Sequence, residues 1–141
     1  MFELTEVTKL FNTISITFGV VGGALSSLVG GYDSILKALL ALVILDYVTG
    51  LLKGIVNKKL SSAIGFRGLI KKIVIFIVVG VAVILQGVIG DVVPLREITI
   101  VFYICNEAIS LLENASEFIP LPEKLKETLI QLRDKEDEEN E

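Results

Sequence analysis

The chain has no histidine and no tryptophan, and it has only one cysteine, one methionine and three prolines among its 141 residues. Without histidine it lacks the commonest general base and the commonest transition-metal ligand. Cys105 is the single cysteine, so an intrachain disulfide is excluded, and its apolar sequence surroundings favour a structural role. A nucleophile elbow, a phosphate-binding loop and a zinc-ligand spacing are all missing from the sequence. We therefore expect neither an enzyme nor a cofactor or metal site.

Acidic residues are also missing between Tyr47 and Gly90, whereas six basic residues fall within residues 53–72. Apolar segments long enough to cross a bilayer flank this basic stretch on both sides. A loop rich in Lys and Arg stays on the cytoplasmic side during insertion. We therefore predict an integral membrane protein with a cytoplasmic basic loop that contains Lys53, Lys58, Lys59, Arg67, Lys71 and Lys72.

The overall composition agrees with a membrane location. Hydrophobic residues make up 52% of the chain and the mean hydropathy is +0.73, which is too apolar for a soluble domain of this size. The net charge of −4 arises at the end of the chain, because residues 134–141 carry six acids and one lysine. No basic groove with interleaved aromatic residues is present, so nucleic acid is not expected as a partner.

Four apolar segments predict an all-α bundle of about four transmembrane helices. Three of them have the roughly 20 residues that span a hydrocarbon core of about 30 Å. We place a transmembrane domain at residues 1–119, and a cytoplasmic amphipathic helix with a disordered acidic tail at residues 120–141. The predicted spans are residues 10–31, 35–56, 69–89 and 98–114.

The fourth segment is the least apolar, since it contains Asn106 and Glu107. Tyr103, Glu107, Ser110 and Asn114 recur at the spacing of a single helix face. Such a helix inserts only if this face meets protein or water. A helix that lies on the membrane surface is the alternative.

The first segment carries small residues at every fourth position, which places them on one face of a helix. Such a face lets another backbone approach closely. The partner is either a neighbouring helix of the same chain or a second copy of the chain. The predicted helix-packing residues are Ser15, Gly19, Gly23 and Ser27.

Asp46 lies in the middle of the second segment. An Asp near the centre of a spanning helix costs about 2.5–3.5 kcal/mol, whereas nine Leu, Ile and Val residues around it contribute about 3–5 kcal/mol. Thr49, Gly50, Lys53 and Asn57 follow on or near the same helix face and form a polar stripe that ends in the basic loop, and Tyr47 stands next to Asp46. We interpret Asp46 either as a functional membrane carboxylate or as part of a hydrogen bond or ion pair that locks two helices together.

Several short motifs give the chain its resemblance to a known family. They are LDYVTG at residues 45–50, KKLSS at 58–62, GFRGLIKK at 65–72, FYICNE at 102–107 with Ser110, Glu113 and Asn114, and the Pro120-Leu121-Pro122 break. In their order and spacing the chain resembles the phage lysis holins and toxin-secretion holins (TcdE-like) of Gram-positive bacteria and their phages.

The resemblance implies a small protein of the bacterial cytoplasmic membrane that oligomerises and opens a lesion. An endolysin or a toxin then passes through without necessarily contacting the holin, and an antiholin is a further possible partner. One chain cannot enclose a hole wide enough for a folded protein, so any large pore must be built from many copies. An even number of crossings would place both termini in the cytoplasm.

Two other classes fit the same residues. In a small ion channel or transporter subunit, Asp46 and Glu107 would form an ion or proton site inside the membrane. An internal inverted repeat would favour this class, and the two halves show no such similarity. An antiholin or a membrane scaffold would bind a partner without opening anything.

Overall fold

The computed structural model describes residues 1–138. The described part of the chain is helical and contains no strand, which confirms the predicted fold class. By length and composition, α1, α2 and α3 are each able to cross a membrane. The five helices are α1 (Phe2–Leu28), α2 (Ser34–Val56), α3 (Ser62–Ile89), α4 (Leu95–Ala115) and α5 (Glu123–Glu138).

Two helices begin earlier than the hydropathy pattern predicts. The first starts at Phe2 instead of residue 10, and the third starts at Ser62 instead of residue 69. Ser61 explains the second difference, because its hydroxyl caps α3 by accepting a hydrogen bond from the Ile64 N–H at 3.3 Å. Hydropathy detects only the part of a helix that matches the bilayer interior, so a capped polar turn before that part escapes it.

The early start of α3 corrects the prediction of a basic loop. Arg67, Lys71 and Lys72 lie within α3, and Lys53 lies in the last turn of α2. The connector itself contributes only Lys58 and Lys59 of the six bases. Four of the six basic residues therefore lie in the adjoining parts of α2 and α3, and only two lie in a loop.

The least apolar of the four predicted spanning segments is the most enclosed. Helix α4 packs along both α2 and α3, which contact each other much less. Every residue from 95 to 112 is buried or half-buried, and Ile100 is completely buried together with Leu39 of α2 and Val79 of α3. The polar face of α4 thus meets protein, as its insertion requires. This arrangement favours a membrane-embedded α4 over a surface-lying one.

Helix α1 lies outside this three-helix bundle, and nearly all of its residues are exposed. A Cβ atom added at Gly19 or Gly23 would meet nothing within 4 Å. Close approach occurs only at the end of the helix, where the Leu28 carbonyl would lie 3.5 Å from a Cβ at Gly80 of α3. Within the described residues, the small-residue face of α1 therefore has no partner helix in its own chain.

This open face leads to a prediction about association between copies. Gly23→Leu adds a side chain that clashes with nothing in a single chain, so the amount of folded protein should stay unchanged. If α1 contacts another copy, the Leu side chain separates the two helices, and crosslinked oligomers in membranes should decrease severalfold. Val21→Leu, at an exposed position on the opposite side of the helix, is the matched control. Equal crosslinking in both variants would show that this face contacts only lipid.

Pro122 ends the break after α4, and α5 follows at Glu123. It packs against α4, and Lys126 forms an ion pair with Glu113 at 3.0 Å. The helix continues to Glu138, past the start of the acidic stretch for which the sequence pattern predicted disorder. The rest of the predicted tail, residues 139–141, lies outside the described residues.

Candidate functional site

An ion cluster lies inside the bundle, with one charged side chain from each of three helices. Lys72 of α3 donates hydrogen bonds to Asp46 Oδ2 of α2 and to Glu107 Oε2 of α4, the second at 2.5 Å. The two carboxylate side chains are only 7% and 8% exposed, and the lysine side chain is 15% exposed. We call these three residues the ion cluster. It joins the helices at a point where α2 and α3 otherwise contact each other little.

Asn114 completes the coordination of Asp46. Its side-chain amide donates to Asp46 Oδ1 at 3.0 Å and lies 3.3 Å from the Thr49 hydroxyl oxygen. A Cβ atom at Gly50 would lie 3.5 Å from this amide nitrogen, so α4 approaches α2 closely here. Thr49 donates its own proton to the carbonyl of Leu45 at 2.9 Å. Both oxygens of the Asp46 carboxylate therefore have a donor from a different helix.

The ion cluster lies deep along the helix axis. Asp46 is about 18 Å from the start of α2 and about 15 Å from its end, at a rise of 1.5 Å per residue. The side chains beside it, Ile44, Leu45 and Val48, are exposed on the lipid side of the bundle. Two carboxylates and one ammonium group give a formal net charge of −1. Among the described residues no buried side-chain N or O atom lacks a hydrogen-bond partner, so the buried polar atoms of the cluster are all paired in the closed bundle.

Tyr47 fastens α2 to α3 beside the ion cluster. Its hydroxyl donates a hydrogen bond to the carbonyl of Gly65 at 3.1 Å. Its ring lies over Gly68, where an added Cβ atom would be only 3.3 Å from a ring carbon. The two glycines thus let the aromatic ring lie against the α3 backbone, which gives the LDYVTG and GFRGLIKK motifs a common structural reason.

A second polar group lies at the opposite end of the bundle, around Arg96 of α4. Its guanidinium bonds both oxygens of Asp33, at 2.8 and 3.1 Å, and also contacts Glu97 at 3.3 Å. It donates to the carbonyls of Val29 at 2.6 Å and Gly31 at 3.0 Å in the turn between α1 and α2. We call this group the arginine staple. It fixes the end of α1 to the start of α4.

Asp33 has a second role in the arginine staple, because it also caps α2 by accepting a hydrogen bond from the Leu36 N–H at 3.1 Å. The hydrogen bonds from Arg96, and then the one from Leu36, lower the pKa of Asp33 from 3.8 to about 2. The carboxylate is therefore charged at any pH at which bacteria usually grow. Its side chain is half exposed, so it lies at the rim of the bundle.

The structure unites some of the predicted site residues and separates others. Asp46, Thr49, Gly50 and Glu107 meet around Lys72 and Asn114, whereas Asn106 and Ser110 are half-buried on α4. Lys53 pairs with Glu117 at 3.2 Å near the end of α4. The remaining bases are exposed, namely Lys58, Lys59, Arg67 and Lys71, and so are the predicted packing residues Ser15, Gly19, Gly23 and Ser27.

Sequence reasoning missed the arginine staple, and it placed Lys72 in the basic loop without singling it out as the partner of Asp46. One signal for the staple was available, because Arg96 is the only basic residue between Lys72 and Lys124 and lies in a connector predicted to be outside the cell. A lone base on that side opposes the usual charge bias and therefore suggests a specific partner. Nothing in the sequence distinguishes Lys72 from its exposed neighbour Lys71 except the helical phase.

The fold and the site define a helical membrane protein with several hydrophobic helices and a largely buried ion cluster in its interior. The sequence profile of the bacteriophage holin family matches residues 23–134, and the chain belongs to this family. The resemblance described from the motifs is thereby confirmed. The matched region contains the ion cluster and the arginine staple but only the last part of α1.

Individual relatives come from Gram-positive bacteria. An uncharacterized 14.9 kDa protein in the nagH 3′ region of Clostridium perfringens is 42% identical over 124 residues, covering 85% of this chain and 94% of the relative. Protein YqxH of Bacillus subtilis is 35% identical over 129 residues, covering 88% and 86%. Protein Lmo0128 of Listeria monocytogenes is 37% identical, covering 83% and 86%. No solved structure matches the chain significantly.

Proposed function

We propose that the protein is a holin, which accumulates in the bacterial cytoplasmic membrane, assembles into homo-oligomers and opens a lesion. An endolysin, or a toxin in a secretion role, leaves the cytoplasm through this lesion. The single observation that carries the proposal is the ion cluster of Asp46, Lys72 and Glu107, which is largely buried between three helices. Membership of the holin family supports the same function.

The ion cluster makes the free energy of opening depend on whether water reaches the separated helix faces. In the closed bundle the three charges satisfy one another, so they are tolerated in an apolar environment. If α4 separated from α2 and α3 in bare lipid, unpaired charges would be exposed to hydrocarbon at high cost. The cost falls if several copies assemble and the separated faces line a water-filled opening. The cluster therefore disfavours opening by a single chain and allows opening by an assembly.

The exposed α1 gives such an assembly a surface for contact. Among residues 1–138 its small-residue face has no partner helix, and the bundle interior is already filled by α4. A wide lesion cannot form within one chain for the same reason. We therefore place the lesion between copies and not through the middle of the three-helix bundle.

A small ion channel or transporter subunit is the second candidate, because two carboxylates converge on one lysine deep in the membrane. An antiholin or scaffold would carry the same fold without opening anything. Inducible expression in a Gram-positive host distinguishes the three. A holin should cause sudden entry of a membrane-impermeant dye and loss of viability, a channel should cause graded ion flux without dye entry, and an antiholin should cause neither.

The proposal includes a definite topology, with the N-terminus, the α2–α3 connector and the C-terminal end all in the cytoplasm. It rests on the bases at the ends of α2 and α3 and on a membrane-embedded α4. We predict that a C-terminal tag is protected from protease added to intact protoplasts and is digested after permeabilisation. A cytoplasmic marker protein serves as the control. Digestion of the tag in intact protoplasts would mean three crossings and would contradict this topology.

A further inference from the structure

The connector between α2 and α3 has an ordered turn with an unusual residue at its centre. Lys58 has a φ of 53°, in the left-handed region where Gly or Asn is usual at the end of a helix. The N–H groups of Lys59 and Leu60 both bond the Gly54 carbonyl, at 2.9 and 3.2 Å. The Leu60 side chain lies against Gly54, where an added Cβ would be 3.3 Å away.

A lysine in the left-handed conformation is a cost to the turn, since a glycine would adopt it without strain. The turn geometry therefore does not explain why a base stands at position 58. The cytoplasmic location alone does not explain it either, because orientation depends on the number of bases near the membrane and not on one strained position. A charge held at this point suggests that something negative is bound there.

A shallow cavity of about 510 Å³, which is largely open to the surface, lies next to the same turn, between the ends of α2 and α3. Most of its wall is apolar, and the Tyr47 hydroxyl within it already donates to the carbonyl of Gly65. Lys59 directly precedes the lining residue Leu60 in the sequence, and Arg67 directly follows the lining residue Phe66. The lining includes Tyr47, Leu51, Leu60, Ser61, Phe66 and Leu69.

The bases around the cavity have no acidic partner among the described ion pairs. Lys53 pairs with Glu117, and Lys72 belongs to the ion cluster. Lys58, Lys59 and Arg67 are exposed, and residues 48–89 contain no acid at all. Three exposed bases without an acidic partner among the described ion pairs thus lie close in the sequence to residues that line an apolar cavity at the end of two membrane helices.

We propose that this cavity and three exposed bases near it in the sequence, Lys58, Lys59 and Arg67, bind an anionic phospholipid of the cytoplasmic leaflet. The bases would hold the phosphate and headgroup, and the apolar wall would take part of an acyl chain. An anionic lipid is the occupant that matches both the charge and the apolar lining at a membrane surface. The inference requires that the connector lies at the membrane surface, and it does not depend on lesion formation.

The test uses the full-length protein purified in detergent, with native mass spectrometry of the lipid that it retains. Phosphatidylglycerol and phosphatidylcholine with the same acyl chains are added in equal amounts. Wild type should retain phosphatidylglycerol preferentially, and each base removed should lower that preference roughly fivefold, as expected from about 1 kcal/mol per base. Lys124→Gln, at an exposed base on α5, is the matched control and should keep the wild-type preference.

Lys58→Gly separates binding from folding, because it relieves the strained turn while it removes a charge. Its thermal unfolding midpoint should equal or exceed that of wild type, and its lipid preference should fall. Ser62→Leu, which narrows the cavity and keeps every base, should lower retention as well. Four results would each overturn the proposed site. Lys58→Gly would keep the lipid preference of wild type, or Lys124→Gln would lose as much preference as the variants at the three bases. Alternatively, Ser62→Leu would retain as much lipid as wild type, or inorganic phosphate would displace the lipid.

Discussion

Lys72→Leu is expected to have the largest effect of any single substitution in the membrane part of the protein. It leaves the carboxylates of Asp46 and Glu107 buried next to each other without a cation. Removal of one partner from a buried ion pair costs about 3–5 kcal/mol, and here two acids lose the same partner. We expect the variant to unfold at a much lower temperature in detergent and to accumulate poorly in membranes. Lys71→Leu, one residue earlier and exposed, should be nearly silent.

The charge count of the ion cluster predicts an asymmetry between the lysine and the acids. Asp46→Asn leaves one ammonium and one carboxylate, which is a neutral pair, and Asn keeps the shape and a hydrogen-bonding group. Its thermal stability should therefore equal or exceed that of wild type. The triple variant Lys72→Leu, Asp46→Asn, Glu107→Gln should recover most of the stability that Lys72→Leu loses. A triple variant as unstable as Lys72→Leu would mean that packing, and not charge, is the role of Lys72.

The same variants show whether the ion cluster serves lesion formation. Asp46→Leu removes the charge and the acceptor of Asn114, and it should make α2 insert more easily. If the cluster lines the opening, this variant should reach normal or higher amounts in the membrane and yet delay or abolish lysis. If the cluster only holds the helices together, the Asp46→Asn variant should lyse cells like wild type, whereas Asp46→Leu should lower the amount of intact oligomer. Wild-type timing and yield in Asp46→Leu would exclude both roles.

The parts of the fold that could be predicted from the sequence are those governed by one-dimensional patterns. Apolar length gives the spanning helices, and the run of bases without acids indicates a membrane protein. The helical spacing of Glu107 and Asn114 placed both on one face of α4, and both contact the ion cluster. The cost of burying Asp46 indicated that it needs a partner, with Thr49, Tyr103 or a base of the loop as candidates. The structure bears out the last of these candidates, because Lys72 is one of the six bases assigned to the loop, and it adds Asn114.

The identity of those partners depends on how three helices are rotated and offset, which a single sequence does not encode as a pattern. Lys71 and Lys72 are neighbours of the same type, and only the rotation of α3 decides which one turns inward. The arginine staple depends on a contact between Arg96 and a turn more than sixty residues away. The open face of α1 likewise follows from packing, because α4, and not α1, packs along both α2 and α3.

Arg96→Leu is expected to release the end of α1 from the bundle. The substitution removes the donors to the Val29 and Gly31 carbonyls and the paired bonds to Asp33. Asp33 is half exposed and can turn towards water, so the loss is smaller than for a fully buried pair, on the order of 3 kcal/mol. The thermal midpoint in detergent should fall, and protease should cut the α1–α2 turn faster. A wild-type midpoint and cleavage rate would show that the arginine staple does not hold the turn.

Asp33→Asn is the control that separates charge from capping. Asn keeps an acceptor for the Leu36 N–H and caps a helix as well as Asp does, so only the ionic part of the arginine staple is lost. The pKa of Asp33 is lowered to about 2 from 3.8, so its ionic contribution is complete above about pH 4 and is lost as the pH falls towards 2. Wild type should therefore lose stability relative to Asp33→Asn between pH 4 and pH 2, whereas the difference between them should stay constant from pH 5 to pH 8. A constant difference down to pH 2 would mean that the Asp33 carboxylate contributes as a cap alone, and that Arg96 holds the turn through the two carbonyls.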